Sequence, residues 1–295
     1  MKLPLIGTIV LTLFIAETVQ AQKYPIRLSS PDHIGKKSHV SVIGSFNQEA
    51  ASTQNGSVLK SVSTNRLVIF EGREEVLSLD ADGVALRESF TVEKFTNLEN
   101  GVTGILLNPG SVILTDGSQE KAKQIVLKNG VMSEAARTAF SWILAPHSPD
   151  RHSDDEIFGT KEPKAIGDSW PINKLAAISD LRGTLIIPIE RMTGAVSLVS
   201  KGSISGDECL NLLAEVKADG VAIKNAPEGF VPDRGKMDIT LRTCIPISPA
   251  ANSRKDGAVM NSQIRLKGMP GTLIETVILE MTSNQRVEVT ALPIK

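Results

Sequence analysis

Gly83-Val84-Ala85-Leu86-Arg87-Glu88-Ser89-Phe90-Thr91-Val92-Glu93 is the stretch that decides the fold class. Val84, Leu86, Phe90 and Val92 fall on one side of an extended chain. Ala85, Arg87, Ser89, Thr91 and Glu93 fall on the other. A period of two with one apolar and one polar side describes a strand covered on one face and wet on the other. Antiparallel sheets tolerate that asymmetry, whereas parallel sheets are covered on both faces. Asp82-Gly83, just before the stretch, reads as a type I′ hairpin turn.

The texture extends outward. Residues 22–130 carry further turn signals at Asn55-Gly56, Asn108-Pro109-Gly110, Asp116-Gly117 and Asn129-Gly130. Residues 182–295 return to the same texture, ending in an expected hairpin of Leu273–Met281 and Arg286–Leu292 with its turn near Ser283-Asn284. Ala81-Asp82-Gly83-Val84-Ala85 recurs as Ala218-Asp219-Gly220-Val221-Ala222, which raises the prospect of a duplicated β unit.

Residues 131–181 between them read as helical. Ser133 can cap a helix carrying Ala136, Phe140, Ile143 and Leu144 on one stripe, and Pro146 and Pro149 stop it. Ser153 and Glu156 form a capping box ahead of Ile157 and Phe158. A third helix is expected to begin at Pro171 and carry Ile172, Leu175, Ala176 and Ile178. The expected fold is therefore mainly β (α+β), a curved antiparallel sheet or half-open barrel with a short helical insert at about 131–181. Two β domains joined through a helical connector is the alternative. Phe140 and Trp170 are the expected structural anchors, holding the insert on the sheet.

Residues 1–21 read as a signal peptide. Lys2 supplies the positive end, Leu3–Ala16 is almost wholly apolar or small, and Val19-Gln20-Ala21 has the small–x–small form of a cleavage site. A membrane span needs about 20 apolar residues, more than this run provides, and no later stretch approaches that length. The mature chain is expected to be exported, periplasmic or extracellular, without a transmembrane segment.

A formal charge of −1 offers no long-range field for nucleic acid. Aromatic residues make up 4%, too few for stacking against bases or sugars. Cys209 lies opposite Leu210, Leu212, Ala214 and Val216. Cys244 lies opposite Met237, Ile239, Leu241 and Ile245. Unpaired cysteines prefer apolar burial, so two on polar faces in an oxidising compartment favour a Cys209–Cys244 disulfide over free thiols.

Ile157-Phe158-Gly159-Thr160 followed by Ile166-Gly167-Asp168-Ser169-Trp170-Pro171 resembles a segment of uncharacterised exported β-rich bacterial proteins. The resemblance covers the middle third and implies a β-rich envelope protein. That family has no established activity, so the resemblance assigns no site residue.

No motif carries chemistry. His147 and His152, amid Asp150, Asp154, Asp155 and Glu156, could ligate a metal, but prolines interrupt any common helix face and the acids suit a helix N-terminus. Asp80-Ala81-Asp82-Gly83 starts like a calcium loop, yet Thr91 stands where the twelfth-position glutamate belongs. Gly202-Ser203-Ile204-Ser205-Gly206 puts Ile204 in the nucleophile's place of a Gly-x-Ser-x-Gly elbow. His33 and His39 have no partnered nucleophile in view. No catalytic, cofactor or metal residue is assigned. The expected function is non-catalytic: an envelope protein binding an apolar ligand or a protein partner, with a structural module or a dispersed-site hydrolase as alternatives. N-terminal sequencing of exported material should begin at or near Gln22, and an intact Met1 would overturn the export reading.

Overall fold

The computed structural model describes residues 22–29, 32–119, 124–148, 151–181, 185–248, 251, 253–269 and 276–294. The expected signal peptide at 1–21 lies outside them. The first half holds β1 (Lys23–Tyr24), β2 (Lys37–Gln54), β3 (Ser57–Leu79), β4 (Ala85–Glu99), β5 (Val102–Leu107), β6 (Val112–Asp116) and β7 (Ile125–Leu127). The middle holds α1 (Glu134–Ile143), α2 (Asp154–Phe158), β8 (Lys164–Ala165), β9 (Ser169–Pro171), α3 (Lys174–Leu181) and β10 (Leu185–Ile186). The second half holds β11 (Met192–Ile204), β12 (Asp207–Asp219), β13 (Ala222–Ile223), β14 (Phe230–Pro246), β15 (Arg254–Gly268) and β16 (Val277–Pro293).

Most of these strands form one 12-stranded antiparallel sheet in the order β7-β6-β4-β3-β2-β16-β15-β14-β12-β11-β9, with β5 beside β4. The end strands do not pair with each other, so the sheet does not close into a barrel. Chain order runs the same way across both halves. β2 lies against β16 from Ser38↔Pro293 to Gln54↔Val277, which makes the two β regions one continuous sheet.

Directly paired residues project to the same face. The row Leu212–Thr243–Asp256–Val289–Val42–Phe70–Phe95 crosses seven strands, so both halves bury the same face. That face carries two apolar clusters. One joins Val42, Val68, Phe70, Phe90 and Phe95 to α1. The other joins Leu210, Leu212, Val216 and Met237 to Trp170, Ile172, the α3 alanines and Ile26 and Leu28 of the N-terminal segment.

α1 forms where the sequence places it. Ser133 accepts from the Ala136 amide, and Ala136, Ala139, Phe140 and Ile143 are buried. Phe140 meets Phe70, Phe90 and Phe95 edge-on, with centroids 5.5, 5.3 and 6.1 Å away. Gly44 lets the helix sit this close, because a Cβ there would stand 2.6 Å from Ile143 Cγ2. The α2 capping box also forms, with Ser153 and Glu156 reciprocally bonded.

Several expectations are corrected. The 131–181 segment is not helical throughout, since it contains β8 and β9. Pro171 ends a strand instead of starting a helix: Trp170 and Pro171 pair with Val196 and Ala195 of β11. The third helix starts two residues past Ile172, and the Asn173 side chain accepts from the Ala176 amide. Leu175 consequently faces solvent, at 69% exposure. Trp170 is buried, and its indole N–H donates to the Phe158 carbonyl of α2 at 2.8 Å.

Ser283-Asn284 is not a turn but the middle of β16. Ser283 bonds Ser262 hydroxyl to hydroxyl at 2.8 Å, and Asn284 donates to Asn261 at 2.6 Å. Matched polar partners across strands make turn-type residues acceptable inside a ladder. Leu273, the expected start of that hairpin, lies outside the described residues. At Asp82-Gly83 only Gly83 has positive φ, so the turn is not type I′; Asp80 shapes it by accepting from the Asp82 and Val84 amides. Asp219-Gly220 occupies the equivalent place in strand order but opens a longer excursion through β13, in which Gly220 and Val221 both donate to the Gly235 carbonyl. The two five-residue copies share a position and not a local job.

Cys209 and Cys244 lie on neighbouring strands, on the face opposite the main core, and form a disulfide with Cα atoms 5.5 Å apart. Both are nevertheless buried, under Ile204 and Leu292. Phe140→Ala should cost about 3–5 kcal/mol in denaturant unfolding. Alkylation without reduction should label neither cysteine, and reduction should cost about 3–4 kcal/mol by freeing the unfolded chain.

Candidate site at the junction of the two clusters

Glu88 interrupts the apolar face of β4. It shares that face with Phe90 and Val92 and pairs with Val76 and Thr115 on the neighbouring strands. Ser38 and Glu74 stand side by side one row away on β2 and β3. These groups floor a cavity of about 310 Å³. Its walls are the chain after α1, including Leu144 and His147, the segment carrying Asp32 and Lys36, and Arg254 and Asp256 of β15.

The cations around the cavity are already engaged. Lys36 Nζ lies 2.6 Å from Asp32 Oδ1, and Asp32 also accepts from the Ala85 amide. Arg254 donates to Asp256 through Nε and to Asp154 through Nη2 at 3.1 Å. His147 Nε2 lies 2.8 Å from Asp80 Oδ2. Desolvation opposes ionisation of Asp80, but the Val84 amide, His147 and the Asp82 amide together lower its pKa. Glu88, by contrast, has Thr115 at 3.4 Å and Glu74, a like carboxyl. Burial first, then the charge and hydrogen bond of Glu74 and the charge of Asp32, push its pKa well above the carboxylate range.

A second cavity of about 170 Å³ adjoins the first, and Arg254, Asp256 and Val289 line both. Its other walls are mostly apolar, among them Leu28, Phe158, Leu212, Leu241, Ala258 and Val287. This is sheet surface left between the α1 cover and the α2–α3 cover. The two spaces together present a polar end and an apolar end on one face, an arrangement suited to holding a molecule built the same way.

The residues weighed from sequence are scattered. His147 reaches the polar cavity, while His152 pairs with Glu156 at 3.3 Å on the surface. Among the described residues no group of three His, Cys, Asp or Glu is arranged to hold a metal ion. His39 pairs with Glu93 at 3.1 Å. Ser205-Gly206 forms the β11–β12 turn, both residues at positive φ. Sequence reading passed over Glu88, Glu74, Ser38 and the Thr243–Asp256–Arg254 group. The available signal was Glu88 itself, an acid in phase with Val84, Leu86, Phe90 and Val92.

No protein-family model and no curated protein matches the chain. Solved structures align with low scores. OpdQ of Pseudomonas aeruginosa does so at 6% identity and a TM-score of 0.23, covering 88% of this chain and 98% of that one. OccK9 (OpdG) of the same organism aligns at 9% identity and a TM-score of 0.14, covering 88% and 98%. Likeness at this level transfers neither fold nor function. Among the described residues no helix is long and apolar enough to cross a membrane.

A carboxyl whose folded pKa is raised stabilises the fold fully below its unfolded value and loses that contribution as pH rises through the folded value. Glu88 should therefore make the protein progressively less stable as pH climbs from about 4.5, its ordinary value. Glu88→Gln should remove that slope and raise Tm at neutral pH, read from thermal melts across pH. A mutant that parallels the wild type at every pH would show that Glu88 ionises freely.

Proposed function

We propose that this chain is an exported envelope protein that binds an apolar ligand on the covered face of its sheet. The observation that carries the reading is the crevice between the two covers, where Leu241, Ala258 and Val287 are only partly buried and line open space. Interiors normally pack without such gaps, and each large side chain left unburied forgoes about 1.5–3 kcal/mol. The leader-like first 21 residues and the Cys209–Cys244 bridge support export, since disulfides persist in oxidising compartments.

One observation favours a second reading, a module that recruits a protein partner. The outer strand β5, Val102–Leu107, carries no charge, and Val102 and Ile105 are 72% and 70% exposed. Such an edge is open to an added strand. In native mass spectrometry of exported material, a small-molecule adduct should travel with the chain under the ligand reading. Ala258→Phe, which fills the crevice, should abolish the adduct and Nile red binding while leaving the far-UV spectrum unchanged. Undiminished dye binding in that variant would refute the crevice as the site.

A further inference from the structure

The polar end of the site carries more acid than base. Asp32, Glu74, Glu88 and Asp256 line it, against Lys36, Arg254 and the titratable His147. Lys36 and Arg254 each already hold a carboxylate, and His147 is held by Asp80 outside the lining. Among the described residues, no Lys, Arg or His forms an ion pair with Glu74 or Glu88. Ser38 supplies an independent observation. It is only 2% exposed and lines the cavity, yet its hydroxyl has no hydrogen-bond partner among the described residues. Buried hydroxyls are ordinarily satisfied, so an unmet one facing open space marks a place for a ligand donor or acceptor.

Ser38 is directly paired with Glu74, and Glu88 is diagonal to Glu74 on the same face. Three oxygen-bearing groups therefore converge at one end of a site whose other end is apolar. We propose that the occupant is a cationic amphiphile, its hydrocarbon chain in the crevice and its protonated amine against Ser38, Glu74 and Glu88. An alkylammonium carries three N–H donors, enough for a hydroxyl oxygen and two carboxyls. Its charge balances the excess that the resident cations leave. A carboxylate head would meet Glu74 as like charge and add to the acidic excess, and an alcohol would leave that excess unpaired.

The proposal rests on the crevice being a ligand site, and the test separates the two. Octylamine, octanol and octanoate would be titrated into the full exported chain by calorimetry at neutral pH. A charge-assisted contact to a partly buried carboxylate predicts that octylamine binds about ten-fold tighter than octanol, with octanoate weakest. Glu74→Gln, and separately Ser38→Ala, should bring octylamine toward octanol without weakening octanol itself. Octanol matching octylamine, or octanoate exceeding it, would overturn the amine head while leaving the apolar site standing. Failure of all three to bind would overturn both. The comparison on the unmutated chain decides the matter even if a variant does not fold.

Discussion

Everything distinctive about this molecule follows from β16 lying against β2. Without that ladder the chain would be two meanders, each burying an apolar face under its own helices. With it, the last strand of the second half continues the first strand of the first half, in a register running from Ser38↔Pro293 to Gln54↔Val277. Register in a sheet decides facing, because a slip of one residue turns every side chain over. Here it aligns Val42 with Val289 and Gly44 with Val287, so the two cores share one face and meet along a seam.

The seam is where packing becomes incomplete. α1 covers Phe70, Phe90 and Phe95, and the Trp170 segment with α3 covers Met237 and Leu210. Between the covers, Ala258, Val287 and Val289 stay only partly buried. The polar groups that collect beside them, Thr243, Asp256 and Arg254 on one side and Ser38, Glu74 and Glu88 on the other, come from strands far apart in sequence. Buried polar groups are tolerated when bonded to one another, and most of these are. Ser38 and the carboxyl pair Glu74–Glu88, which no cation among the described residues offsets, are the incompletely compensated members.

The opposite face is built differently. Asn261, Asn284, Asn47 and Asn65 lie in one paired row across four strands. The Cys209–Cys244 bridge ties β12 to β14 on that side. A wet face rewards cross-strand polar pairs, and a covalent link there stabilises two strands without entering the core.

Periodicity by itself determined the β class, the covered-and-wet asymmetry, the α1 stripe, the α2 capping box and the side on which the cysteines lie. Each depends on neighbours within a few residues, and side-chain direction in strands and helices repeats with a short period. What sequence could not decide was pairing between distant strands. Ser283-Asn284 looks like a turn until Asn261 and Ser262 stand opposite it. Pro171 looks like a helix start until Ala195 pairs with it. Glu88 reads as one acid in an alternating strand until β3 brings Glu74 beside it and the segment before β2 brings Asp32. The site exists only because the β2–β16 register sets two covers on one face and leaves a gap between them, and no local pattern encodes the width of that gap.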